Sequence, residues 1–198
     1  SSPSFFQVNI AQAEQMAELV MRELRLDGTQ TVVDAYAGVA TFAVLMADRA
    51  SRVIAIEESA AALKDARVNV DGIDNVELRQ SRTEDVLAEF TEVGLDAVVL
   101  DPPRSGCMPG TLHALIDAPP KRIVYVSCEP ETLARDLAVL AAGPFRIEQV
   151  SPVDMFPQTH HIEAVTTLVR DDERWARLKE RSRVILASSS PRRQEIVQ

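Results

Sequence analysis

The sequence is short of cysteine, glycine and basic residues, and each shortage narrows what the chain can be. Two cysteines, Cys107 and Cys128, among 198 residues cannot form a disulfide framework or a four-cysteine metal site. Thiols used this sparingly suit a reducing compartment, so a cytoplasmic setting is the expectation. Seven glycines and 11 prolines exclude a collagen-like or low-complexity chain, and 46% hydrophobic residues argue against intrinsic disorder. No apolar run approaches the ~18 residues that suggest a membrane span. The opening SSPSFFQVN has neither the charged nor the apolar region of a secretory leader, so none is expected. Lys and Arg number 21 against 30 Asp and Glu, for a net charge of −9. A free-standing nucleic-acid binder is usually basic, because neutralising phosphates supplies much of its affinity. A chain this acidic that acts on a nucleic acid must grip it through a local patch or through a domain outside these residues.

What is present is an alternation of short β-branched runs with amphipathic helical stretches, the pattern of a parallel sheet covered by helices. Residues 10–25 read as a helix that Asn9 caps and Gly28 follows, with Ala13, Met16, Ala17, Val20 and Leu24 in one apolar stripe. Strands are expected at 31–35, 52–57, 76–80, 95–101 and 122–127, and helices at about 41–48, 59–70 and 130–141, the last stopped by Gly143-Pro144. Residues 145–153 and 162–170 have no helix between them and read as an antiparallel pair at the end of the sheet. The charged stretch 171–183 reads as a helical connector. Residues 184–198 read as a new strand, a loop and a helix start, for which Ser190 and Pro191 suit the N-cap and N1 positions.

In doubly wound sheets ligands bind beyond the carboxyl ends of the strands. The sequence puts Asp34, Glu57, Asp101 and Cys128 at four such ends. The turn DAYAGVATFA (34–43) is short and small, with Gly38 but no second or third glycine, so it is not a GxGxxG dinucleotide fingerprint, and no Walker lysine is present. It fits an adenosyl ligand without phosphates, and equally an ordinary tight turn. Glu57 lies where a carboxylate can accept hydrogen bonds from both hydroxyls of a ribose. In DPPRSG (101–106) two prolines stiffen the backbone after a strand-end acid, and Arg104 can hold a phosphate or a structural carboxylate. Cys128 precedes a helix that Pro130 starts, where the helix dipole favours thiolate, although a cysteine so placed is more often a small buried hydrophobe. Cys107 reads as buried packing. Glu163, between Ile162 and Ala164, sits where burial raises a carboxyl pKa toward use as a base. His160 and His161 adjoin it, but neighbours on an extended segment face opposite ways, so no metal site is expected.

FFQVN (5–9), DAYAGVATF (34–42), the Glu57 strand end, DPPRSG, VSCEPETLARDL (126–137) and DMFPQTHHIEAV (154–165) together resemble the RNA uracil-5 methyltransferase family over about residues 4–170. The resemblance implies a class I S-adenosylmethionine-dependent methyltransferase fold: α/β, Rossmann-like, with a seven-stranded mostly parallel sheet and helices on both faces. It implies a catalytic domain over residues 1–170 acting on rRNA or tRNA, with S-adenosylmethionine met by Gln7, Asp34, Tyr36, Gly38, Glu57 and Asp101. Cys128 would be the nucleophile, Glu163 the base, and Phe6, Pro102 and Arg104 would meet the substrate. The chain departs from the family at Ala40, where a second glycine is usual, and it lacks the RNA-binding barrel that many members carry, so a further RNA-binding domain is expected outside it. ILASSSPRRQEIV (185–197) resembles the opening of the Maf-type nucleotide pyrophosphatases, without that family's other motifs. The rival functions are a catalytically silent cofactor-binding domain and part of a nucleotide-hydrolysing fusion.

Overall fold

The computed structural model describes residues 10–91, 94–155 and 162–188, with side chains to residue 180. Its centre is one sheet of β1 (Thr31–Ala35), β2 (Arg52–Glu57), β3 (Val76–Gln80), β4 (Ala97–Leu100), β5 (Arg122–Ser127), β6 (Phe145–Val153) and β7 (Glu163–Arg170). The order across the sheet is β3-β2-β1-β4-β5-β7-β6. β1 to β5 are mutually parallel, whereas β7 runs antiparallel to both β5 and β6. The chain thus builds outward from β1 in one direction and then, from β4, in the other. The reversal falls between β1 and β4, where loops leaving the carboxyl edge diverge and open room for a ligand.

The strands read as apolar runs because both faces are covered. Side chains alternate between two cores. Val33, Ile54, Val98, Leu100, Ile123 and Tyr125 face α4 (Thr83–Ala88), α5 (Pro109–Asp117) and α6 (Pro130–Ala142). Val32, Val53, Val99, Val124 and Val126 face α1 (Ile10–Leu24), α2 (Thr41–Ala47) and α3 (Ala60–Asn69). The edge strand β6 exposes Ile147 and Val150 and carries Pro152, as an edge tolerates. Its register slips between Ile147 and Gln149. Glu148, at the slip, accepts from Arg122 Nη1 at 2.8 Å and Arg25 Nη2 at 3.1 Å, fastening the edge to β5 and to the end of α1.

The α/β fold, the seven strands and the antiparallel last pair match the expectations from sequence. Two helices do not appear among those expectations. α4 has six residues and too little length for a periodicity, and α5 hides behind the proline-rich loop, although Pro109 at its start is a helix-opening signal. The last helix, α7 (Asp172–Ser188), runs across the position where a strand was expected to open at residue 184. Asp171 Oδ1 accepts from the Arg174 amide at its start, and no glycine or proline interrupts the chain before Pro191. A capped helix without a breaker continues. Asn9, Ser190 and Pro191 lie outside the described residues.

Phe145, which begins β6, is wholly buried in the α5/α6 core. Phe145→Ala should therefore cost about 3–5 kcal/mol in urea unfolding, whereas Ile147→Ala on the exposed edge should stay within about 1 kcal/mol.

Candidate active site

Past β1 the backbone enters the left-handed region three times, at Tyr36 (φ 61°), Gly38 (φ 55°) and Ala40 (φ 66°). The resulting turn is tied to β2 by Ala37 N donating to Ile56 O at 2.9 Å and Gly38 N donating to Glu57 Oε2 at 2.9 Å. Glu57 Oε1 accepts from Ser59 N at 2.7 Å. This carboxylate, which the sequence reading offered to ribose hydroxyls, therefore already braces two loops and retains one further acceptor direction on each oxygen.

Ala40 is the departure from the expected glycine, and it occupies a backbone conformation that favours glycine. The left-handed penalty for an L-residue is about 1–2 kcal/mol. Its methyl is fully buried, which offsets about 0.8 kcal/mol, and a Cβ removes about 0.4–1 kcal/mol of unfolded-chain entropy. The terms nearly cancel, so alanine is tolerated there.

Asp34 lies within β1 rather than beyond it, and is 1% exposed. Its Oδ2 accepts from Ala43 N at 2.8 Å in the first turn of α2, while Oδ1 has no hydrogen-bond partner among the described residues. Burial raises its pKa to about 8, against the opposing Ala43 amide, with the charges of Asp101 and Glu57 adding to the rise. Tyr36, half-buried, turns its hydroxyl away from the turn. The hydroxyl pairs with Thr111 Oγ1 at 3.0 Å and accepts from Met108 N at 3.3 Å, and burial raises its pKa to about 12.

Asp101 follows β4, and the buried Pro102 anchors the loop behind it. Asp101 itself is exposed to solvent; its pKa is displaced upward, with crowding by the surrounding groups the larger cause and the Glu163 charge adding to it. The meeting of Cys128 and Glu163, 35 residues apart in sequence, comes from register. β5 pairs with β7 from Arg122↔Val169 to Ser127↔Ala164, which brings Cys128, just past the end of β5, and Glu163, the first residue of β7, to the same edge. Both are half-buried. Burial raises the Glu163 pKa, and the Arg104 cation opposes the rise. The Cys128 thiol is also pushed up, first by burial and then by the Glu163 charge, while a hydrogen bond and the charge of Arg104 pull it back. The α6 start was expected to favour thiolate, yet desolvation and the neighbouring carboxylate move the thiol the other way. Arg104 is the group that favours thiolate.

Asp101, Arg104, Cys128 and Glu163 thus share one patch at the carboxyl edge, and Gly38 and Glu57 lie on the same edge across the β1/β4 reversal. Phe6, Gln7, His160 and His161 lie outside the described residues. Cys107 is buried, as expected, and its pKa is raised to about 12 by burial. Sequence reasoning passed over Thr111 and Asp136, both fully buried polar residues. Each sits on an amphipathic helix, where a lone polar side chain looks solvated. Among the described residues no helix is long and apolar enough to cross a membrane.

Two outcomes are expected here. Ala40→Gly should change unfolding free energy by less than about 1 kcal/mol, whereas the β-branched Ala40→Val should cost more than about 2 kcal/mol. Because the Asp34 pKa is raised on folding, its contribution is fully present below the unfolded value near 3.8 and is lost as pH rises toward 8. Asp34→Asn should therefore flatten the decline in stability between pH 4 and pH 8, measured by urea unfolding across that window.

The model for the tRNA (uracil-5-)-methyltransferase family matches residues 1–171. An RNA methyltransferase of Oceanobacillus iheyensis is 44% identical over 172 residues, covering 85% of this chain and 38% of its own length. One from Gloeobacter violaceus is 45% identical over 169 residues, covering 84% of this chain and 36% of its own. The chain thus spans under two fifths of the curated relatives it matches. The Pyrococcus abyssi tRNA (uracil-54, C5)-methyltransferase, solved in complex with S-adenosyl-L-homocysteine, superposes with a TM-score of 0.69 at 37% identity, over 84% of this chain and 40% of that one. A precorrin methyltransferase of Geobacter metallireducens, at 17% identity and a TM-score of 0.66, shares the fold. By the match over its first 171 residues, on the fold and strand-end residues described above, the chain belongs to the tRNA (uracil-5-)-methyltransferase family.

Proposed function

We propose that this domain methylates carbon 5 of a uridine in RNA, tRNA or rRNA, through a transient bond between Cys128 Sγ and carbon 6 of the base. The observation that carries the reading is the β5/β7 register, which ends at Ser127↔Ala164 and brings Cys128 and Glu163 together, with Arg104 bearing on both. The β1 turn supports S-adenosylmethionine as the methyl donor. A side chain at Gly38 would meet nothing within 4 Å, so the backbone there is open to a ligand. Glu57 keeps acceptor capacity beside it. When bound, this donor supplies a methyl group activated by its sulfonium charge.

Carbon 5 of uracil is a poor nucleophile until something adds to carbon 6. Cys128, ionised with the help of Arg104, adds its sulfur there, and electron density moves to carbon 5. Once carbon 5 carries the methyl group, Glu163 takes the proton left on it. The electrons of that C–H bond re-form the 5,6 double bond, and Cys128 leaves as thiolate. A partly buried carboxyl with a raised pKa suits this proton removal, because it is a stronger base than an exposed one. The uridine must be turned out of its stack to reach the sheet edge. The net charge of −9 supports RNA being gripped mainly by a further domain, of the kind that the longer relatives have room for. Two free thiols, one of them the nucleophile, suit a reducing cytoplasm.

The test is to incubate the protein carrying this domain with 5-fluorouridine RNA and labelled S-adenosylmethionine. Fluorine at carbon 5 cannot leave as the proton does, so a stable protein–RNA adduct is expected, and Cys128→Ala should abolish it. Glu163→Gln should accumulate adduct on ordinary RNA, with turnover lowered at least about a hundredfold. A protein that binds the methyl donor yet forms no adduct is the catalytically silent domain instead.

A further inference from the structure

We infer that Asp136, buried on α6, is a positioning residue that holds the Arg104 loop against Cys128. The inference rests on the proposal that Cys128 is the nucleophile, but its test reads the thiol itself. α6 begins two residues after Cys128 and lays three side chains, Thr132, Arg135 and Asp136, along one face at the i, i+3, i+4 spacing. Each takes a successive stretch of the loop that follows Pro103. Thr132 Oγ1 donates to Arg104 O at 3.0 Å, Arg135 Nη2 donates to Ser105 O at 2.9 Å, and Asp136 Oδ2 accepts from Cys107 N at 2.7 Å.

Asp136 is the centre of this face. It is 0% exposed. Its Oδ2 also accepts from Tyr125 OH at 2.7 Å, and its Oδ1 pairs with Arg135 Nη2 at 2.7 Å. Tyr125 belongs to β5, the strand that ends beside Cys128, so one carboxylate ties together that strand, its helix and the Arg104 loop. Gly106 reports how close the approach is. It has φ +77°, and a Cβ there would fall 2.5 Å from Arg135 Nη2 and 2.6 Å from Asp136 Oδ2. The next amide along, Met108 N, is held by Tyr36 OH from the β1 turn. Adjacent amides of one loop are therefore pinned by the proposed nucleophile's helix and by the proposed donor-binding turn.

The consequence falls on the thiol. The charged groups bearing on Cys128 are Glu163 from β7, which disfavours thiolate, and Arg104 from this loop, which favours it. Glu163 in turn bears on Asp101. If the loop is released, Arg104 is the member of this set that moves.

The experiment measures the pH dependence of Cys128 alkylation by iodoacetamide in the protein carrying this domain. Mass spectrometry reads Cys128 in the tryptic peptide 123–135 and Cys107 in 105–121. Asp136→Ala should raise the midpoint for Cys128 by about one pH unit, the scale of losing one nearby opposite charge. Asp136→Asn, which keeps an acceptor for Cys107 N, should raise it less and serves if the alanine variant does not fold. In an Arg104→Ala background the Asp136 variants should add no further shift. A midpoint unchanged in the folded variants, or an equal shift without Arg104, would overturn the inference. If the shift appears but no 5-fluorouridine adduct forms, the positioning stands and the methylation proposal fails.

Discussion

The candidate site depends on one strand running against its neighbours. β7 lies between β5 and β6 and is antiparallel to both, so it starts at the edge where the parallel strands end. A parallel β7 would put residue 163 at the opposite edge of the sheet, far from Cys128. The reversal needs no long crossover, because β6 runs alongside β5 in direction and hands over to β7 at the carboxyl edge. Val153 and Glu163 are paired there, so the connection between the two strands starts and finishes at the carboxyl edge, where Cys128 lies. β7 is nearly all buried, with the apolar Val165 and Leu168 on opposite faces. A slip of one residue would exchange those faces, which is what fixes the register that brings Glu163 to Cys128.

The two edges of the sheet treat charge in opposite ways. Near the amino ends of the strands, carboxylates meet cations. The Arg122 hydrogen bond holds Glu148 below the ordinary carboxylate range, and that of Arg52 does so for Glu77. Asp96 is held low by Lys121 and the Thr31 amide despite its desolvation. At the carboxyl edge Asp34, Glu163 and Cys128 are displaced toward their neutral forms chiefly by burial, and the exposed Asp101 beside them is displaced the same way with help from the Glu163 charge. Ion pairs stabilise one edge, while groups poised to exchange protons collect at the other. Perturbed groups gathered at one place are what acid–base and nucleophilic chemistry need.

The 101–108 loop joins the two halves of that edge. Its prolines limit its freedom, Gly106 lets it press against α6, and its last amides are held from α6 and from the β1 turn. Arg104 is exposed, yet the backbone carrying it is fastened on both sides. A cation placed this way acts on Cys128 without a buried ion pair and its desolvation cost.

The sequence by itself carried the strands, since a strand covered on both faces must read as a short apolar run, and β1, β2, β3, β5 and β6 lie where those runs do. It also carried the strand-end residues and, through DPPRSG, VSCEP and HHIEAV, the family. It did not carry α4 and α5, which are too short or too close to prolines to show a period. Nor did it show that α7 continues past 184, because Val184 and Ile185 read equally well in a strand. Asp136 was invisible for a different reason: a single acid on an amphipathic helix looks solvated until the loop that covers it is in place. Only the tertiary structure decided that Asp34 caps α2 from inside β1, that Tyr36 turns toward α5, and that burial holds Cys128 toward the thiol. Those outcomes are set by which groups lose water and which partners replace it. Periodicity records which residues leave water, but the partner they meet is fixed by strand order and register.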